Sequence, residues 1–116
     1  QSLVNDVDVF YEPTDNVISS SIPTLVSVTD AAGKGVICAE PFMVTGGCLA
    51  TYGIDYYKLG VQTGEMAADI LEGKKKPADM SIETARDLTL VISKGNAEKL
   101  GLTIPEDVLK DAILVD

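Results

Sequence analysis

The chain has 116 residues, enough for one compact domain and little more. Nine Lys and Arg stand against eighteen Asp and Glu, a formal charge of −9, while 46% of the residues are hydrophobic and mean hydropathy is +0.19. That apolar content excludes a disordered chain, the acidity argues against a nucleic-acid partner, and no apolar run approaches the roughly 20 residues that span a bilayer.

Val7-Asp8-Val9-Phe10-Tyr11, rich in β-branched and aromatic residues, reads as a strand entering the loop Pro13-Thr14-Asp15-Asn16. Residues 17–32 carry Val17, Ile18, Ile22, Leu25, Val26 and Val28 at near-helical spacing, with Asp15 or Asn16 as the N-cap. Pro23 falls inside this stretch and either kinks it or restarts it as a second helix. Gly33-Lys34-Gly35 ends the helix, and Val36-Ile37-Cys38-Ala39 is a second buried strand leading to Glu40-Pro41. Strand, helix, strand at this length is a βαβ unit with parallel pairing.

Phe42 to Thr45 is expected as a short helical turn and Leu49 to Ile54 as a third strand, with Gly53 a point of close backbone approach. Asp55 is placed to cap a long helix, Tyr56 to Glu72, closed by Gly73. Leu59, Met66, Ala67, Ile70 and Leu71 form its apolar face, with Glu65, Asp69 and Glu72 opposite. Lys74-Lys75-Lys76-Pro77 is a solvated turn. Ile82 to Ala85 and Leu88 to Ile92 read as extended. Ser93 caps a helix through Leu100 that Gly101 terminates, and Pro105 opens a last helix with Glu106 and Asp107 in its first turn. The class is α/β, with no internal repeat and no interdomain linker.

Open parallel α/β sheets gather ligands beyond the carboxyl ends of their strands. Three such ends carry polar groups here: Thr14, Asp15 and Asn16 after the first strand, Glu40 after the second, Asp55 after the third. If they converge, the acids attract an ammonium group, and Phe42, Tyr52, Tyr56 and Tyr57 are available to wall a pocket. Each acid also has an ordinary role, Asp15 and Asp55 as caps and Glu40 as a solvated loop residue. The same acids would suit an oxygen-liganded cation or a carboxylate pair for hydrolysis, but nothing specific favours either.

The chain has no histidine, which removes the usual general base and the Ser/His and Cys/His pairs. GxSxG, GxxxxGK[ST], HExxH and a strand-linked GxGxxG are all missing, and no catalytic residue, metal or cofactor is expected. Cys38 and Cys48 are too few for a disulfide framework; they read as small buried hydrophobes, with a bridge open to them in an oxidising compartment. The start, QSLVNDVD, lacks the pattern of a signal peptide and Gln1 is no initiator, so a mature chain or an excised piece is expected.

The stretches VDVFYEPTDNVISSSIPTLV, ATYGIDYYKLGVQTGEMAADILEGKKKPADMSIET and LVISKGNAEKLGLTIPEDVLKDA together cover most of the chain. They resemble the C-terminal part of ABC transporter substrate-binding proteins, most closely the type for tryptophan, tyrosine or other aromatic amino acids. The resemblance implies a type I periplasmic binding protein: two Rossmann-like lobes joined by three crossing strands, closing on a solute between them. Such proteins are extracytoplasmic, often lipid-anchored, and deliver the solute to a membrane permease driven by an ATPase.

Members are more than twice this long, so the chain resembles a second half. Residues 1–48 would be the C-terminal lobe's βαβ, 49–81 a crossing strand with a helix packing on the other lobe, and 82–116 a return with C-terminal helices. The apolar stripe of that helix then calls for a partner, either the missing N-terminal half or a second copy of the chain. Carried over by position, the pocket points to Thr14, Asp15 and Asn16, to Glu40 with its neighbour Phe42, and to Asp55. The second cysteine, in GGC before the third strand, departs from the family's pattern. Two other classes compete, an effector-sensing domain of a transcription regulator and a carboxylate-dependent hydrolase.

Overall fold

Strand pleating alternates the side chains of Val9–Glu12 (β1), so that Phe10 and Glu12 turn inward while Val9 and Tyr11 are more than half exposed. This first strand begins two residues later than its composition suggests and runs one residue further, because its partner Gly35–Cys38 (β2) sets its length. The computed structural model describes residues 1–116. It contains three more strands, Ala50–Ile54 (β3), Leu88–Ser93 (β4) and Ala112–Val115 (β5), in a five-stranded sheet whose spatial order follows the chain. Pairings β1–β2, β2–β3 and β4–β5 are parallel.

The chain divides into two compact units, one formed by Gln1–Gly53 with Thr89–Asp116, the other by Ile54–Leu88. In the first unit the expected helix over 17–32 is broken in two, Asn16–Ser20 (α1) and Ile22–Ala31 (α2). Pro23 is the reason: it lies in the first turn of α2, where a missing N–H costs nothing, so it restarts the helix instead of kinking it. Gly33 adopts φ 65°, the left-handed geometry that lets Lys34 N–H donate back to Thr29 O at 2.9 Å and close α2.

Pro41–Thr45 (α3) is likewise opened by its proline. Ile22 and Val26 of α2 and Met43 and Val44 of α3 pack on Val36 and Cys38 of β2 with Cys48 and Val91, and Phe10, Leu25 and Val115 seal the margin. Burying an Ile, Val or Met side chain contributes about 2 kcal/mol each, so this one-sided cluster carries the unit. The sidedness follows from topology. Right-handed crossovers between parallel strands added in one direction fall on one face of the sheet. The other face shows Val9 at 52%, Tyr11 at 67% and Tyr52 at 69% exposure.

Lys94–Lys99 (α5) stops one residue before its expected end, with Leu100 as its C-cap. Asn96, buried on α5, donates from Nδ2 to Gly47 O at 2.8 Å and Cys48 O at 3.3 Å, pinning the turn before β3. Gly53 has no room for a Cβ, which would collide with Ala39 O and with Thr51 Oγ1. The helix expected after Pro105 is a single turn, Glu106–Leu109 (α6). Beyond it, Ala112–Val115 is a strand that pairs with β4, an element the sequence reading did not contain.

The second unit is built on Tyr56–Leu71 (α4), which Asp55 caps by accepting from Lys58 N at 3.1 Å. Its one buried residue is polar. Gln62 donates from Nε2 to Thr84 O and to Glu83 Oε2, both at 3.0 Å, and its Oε1 accepts from Arg86 N at 3.1 Å. Contrary to expectation 82–85 is no strand: Thr84 O, and Arg86 N just beyond, bond to the Gln62 side chain instead of to a neighbouring strand. Arg86 is held by Glu83 and Glu65 and forms the outer fastening of the same strap. The apolar stripe is narrower than expected, for Leu71 is 88% exposed while Met66, Ala67 and Ile70 line a groove of about 390 Å³ with Met80 and Ile82.

Replacing Gln62 with Ala removes all three bonds, at about 1 kcal/mol or more of net local stability. Limited trypsinolysis after Arg86 is expected to accelerate about fivefold or more, with the far-ultraviolet spectrum unchanged. An unaltered cleavage rate would show that the strap is held by something else.

Candidate functional site

The first unit gathers two of the three expected polar strand ends. Ala39 N–H donates to Glu12 O at 3.0 Å, so the loops leaving β1 and β2 start side by side on one rim. The β1 loop carries Thr14, Asp15 and Asn16, all exposed, and the β2 loop carries Glu40, buried at 6%, and Phe42, exposed at 53%. Asp55 belongs to the second unit, where it caps α4.

Asp15 caps α1. Its Oδ1 accepts from Val17 N at 2.8 Å and Ile18 N at 2.9 Å, and its carbonyl accepts the Ser19 hydroxyl at 2.6 Å. Both side-chain bonds fall on one oxygen, so capping orients the carboxylate and leaves Oδ2 directed away from the helix amides. Capping and ligand contact are therefore compatible in the same residue. Glu40 precedes α3 in extended conformation and makes no side-chain cap bond; its carbonyl accepts from Met43 N at 3.1 Å.

Beneath this rim lies a residue that reading the sequence missed. Register places Glu12, Cys38 and Thr51 side by side across β1, β2 and β3, all pointing to the covered face. Glu12 is only 9% exposed, and its Oε1 has no hydrogen-bond partner; neither has the Thr51 hydroxyl. Burial, reinforced by the nearby Asp15 charge, pushes the Glu12 carboxyl above its usual range. The signal was available, since Phe10 and Glu12 alternate with Val9 and Tyr11, but it is lost when the strand is ended at Tyr11.

Chemically the rim offers carboxylates and an aromatic edge, with no nucleophile–base pair. It suits a cationic or ammonium group better than an anion. No cluster of three or more His, Cys, Asp or Glu is arranged to hold a metal ion. The aromatic side chains Tyr56 and Tyr57 lie on α4 in the second unit, at 52% and 82% exposure.

The raised Glu12 value has a pH consequence. Its native form holds the proton more tightly than the unfolded chain, so stability falls as pH rises above the unfolded carboxylate value, and the loss is complete above the native value. Glu12→Gln is expected to raise Tm by a few degrees at pH 7.5 and to leave it almost unchanged at pH 4. Parallel melting curves at the two pH values check this, and a variant less stable at pH 7.5 would refute it.

Comparison with known proteins bears on the family and the fold. The profile of the family described as ABC transporter substrate binding protein matches residues 1–115. A tyrosine-binding protein of Clostridioides difficile is 39% identical over 101 residues, which is 87% of this chain and 29% of that protein. The chain thus spans about three tenths of the length of this relative. Among solved structures, a Streptococcus pneumoniae ABC domain in complex with L-Trp superimposes with a TM-score of 0.83 at 40% identity, over 99% of this chain and 39% of that one. The ligand-free, open form of a substrate-binding protein with adhesive properties from Clostridium difficile gives 0.82 at 37%, covering 99% and 38%. A conserved domain protein from Vibrio cholerae gives 0.82 at 38% with the same coverage. With this profile matched along almost its whole length and an α/β, mostly parallel sheet shared with these structures, the chain belongs to the ABC transporter substrate-binding protein family.

Proposed function

We propose that this chain is part of an extracytoplasmic receptor that binds a small zwitterion, an aromatic amino acid, and hands it to the permease and ATPase of an importer. The observation that carries the proposal is the rim of the first unit, where Asp15 and Glu40 leave the ends of neighbouring parallel strands with Phe42 beside them. Asp15 is assigned to the α-ammonium group and Phe42 to the side chain of the solute. Thr14 and Asn16 flank Asp15 as polar contacts, and Asp55 is carried as a separate candidate on its own unit. The role is binding, not catalysis. That one relative is named for tyrosine and one solved neighbour holds L-Trp supports the solute class.

The topology supports a larger assembly. Ligand crevices of open α/β sheets form where strand order reverses, and order does not reverse among these five strands. In the complete protein a further strand is therefore proposed beside the free edge of β1, making the Pro13–Asn16 loop the point of reversal. Its connection covers the face bearing Tyr11 and Tyr52. The groove on α4 lined by Met66, Ala67 and Ile70 is assigned to the N-terminal half of the same protein rather than to a second copy. No helix of the chain is long and apolar enough to cross a membrane. A lipid anchor in the full-length protein is part of the proposal.

Asp15→Asn keeps a good capping residue and removes the charge. In the full-length protein it is expected to weaken binding of L-tyrosine or L-tryptophan more than tenfold, about 1.4 kcal/mol, by titration calorimetry. Unchanged affinity would remove Asp15 from the site, and heatless titration of the wild type with both amino acids would overturn the solute assignment. In hydroxyl-radical labelling of the same protein, Tyr11 and Tyr52 are expected to react several-fold more slowly than their 67% and 69% exposure here allows. Labelling at the rate of open tyrosines would sink the proposed covering connection.

A further inference from the structure

Cys38 and Cys48, ten positions apart, are brought together in the core of the first unit. Cys38 closes β2 at 2% exposure, and Cys48, at 0%, lies in the turn before β3; both belong to the same apolar cluster. Each thiol lies near enough to the other to shift its titration, Cys38 downward and Cys48 upward. Both thiols are free. The backbone on either side is fixed: Cys48 N–H donates to Met43 O at 3.1 Å, Cys48 O accepts from Asn96, and Cys38 Sγ approaches Glu40 O and Ala50 O at 3.5 and 3.6 Å. Two cysteines of one buried cluster, each held from a fixed backbone, need little backbone movement to be joined.

We propose that Cys38 and Cys48 are the site of an intramolecular disulfide, closing a loop around α3 that carries Glu40 and Phe42. The proposal stands on the placement of the two cysteines in one buried cluster and is independent of the solute assigned above. The oxidant is a small-molecule or protein disulfide of the glutathione or thiol-oxidase class. The Cys38 thiolate attacks one sulfur of that disulfide, whose S–S bond breaks, and the departing thiolate takes up the proton Cys38 has lost. The Cys48 thiolate then attacks Cys38 Sγ in the mixed disulfide and expels the second oxidant thiol, which receives the Cys48 proton. Two electrons and two protons pass from the protein to the oxidant, which ends as two thiols. The two cysteines can act in either order with the same balance, because the exchange needs only one of them as the first thiolate.

Burial sets the timing. Thiols this enclosed are closed to an external oxidant in the folded protein, so the exchange takes place before α3 packs down. The finished bond is then shielded from reductant. It also restricts the unfolded chain across residues 38–48 and fastens the loop that presents Glu40 and Phe42.

The test is to refold the full-length protein in a mixture of oxidised and reduced glutathione and map its peptides without reductant. The expected result is one linked pair, Cys38 with Cys48, about 2 Da below the sum of its dithiol peptides. Dithiothreitol present during unfolding and refolding is expected to lower Tm by about 4 °C or more in the wild type and to have no such effect on Cys38→Ala/Cys48→Ala. Recovery of both cysteines as alkylated free thiols, or linkage of either one only to another chain, would overturn the proposal. The peptide map decides the matter even if the double variant fails to fold.

Discussion

The parallel pairing of β1 with β2 is the constraint from which the rest of the first unit follows. Once Val9 lies against Gly35, the pleat dictates that Glu12, Cys38 and Thr51 share a row on the covered face and that Tyr11 and Tyr52 share the other. The same register brings the exits of the two strands together, so the loops that carry Asp15 and Glu40 start side by side because of backbone hydrogen bonds.

Under the rim, the fold tolerates features that a purely structural core would avoid. A carboxyl group and a hydroxyl sit in the sheet row without hydrogen-bond partners, and an unsatisfied buried polar group costs on the order of 1–3 kcal/mol. Apolar residues of similar size would have packed there at no such cost. Cys38, between them in the row, is softer than either and fills the space without demanding a strong partner. In the second unit the logic is reversed: Gln62, a single polar side chain with every group engaged, organises a segment that has little apolar material of its own.

Much of this was legible in the residues. Pro23 marked a break in the helical stretch, Asp15, Asp55 and Ser93 marked caps, and the α/β class followed from the alternation of element types. The polar strand ends were legible because loops after parallel strands have a known place, and the loop that carries Thr14, Asp15 and Asn16 and the loop that carries Glu40 and Phe42 start side by side. What escaped was decided by partners distant in sequence. Ala112–Val115 is a four-residue apolar run that looks like the tail of a helix until β4 lies beside it. Ile82 to Ala85 has the composition of a strand but is claimed by Gln62, twenty-odd positions earlier. Glu12 was hidden by a boundary error of one residue, since strand ends are fixed by the neighbour and not by the segment itself.

The bare sheet face and the surface of α4 leave several large apolar side chains in water, among them Tyr11, Tyr52, Leu71 and Ile82. In a solution of the 116-residue chain alone, little but the charge of −9 keeps such surfaces on different molecules from adhering. Acidifying towards the isoelectric point near 4.3 titrates that repulsion away, and concentrated salt screens it, so both conditions favour precipitation of the isolated chain. Its colloidal behaviour is thus tied to ionic conditions through surfaces that a longer polypeptide would keep out of solvent.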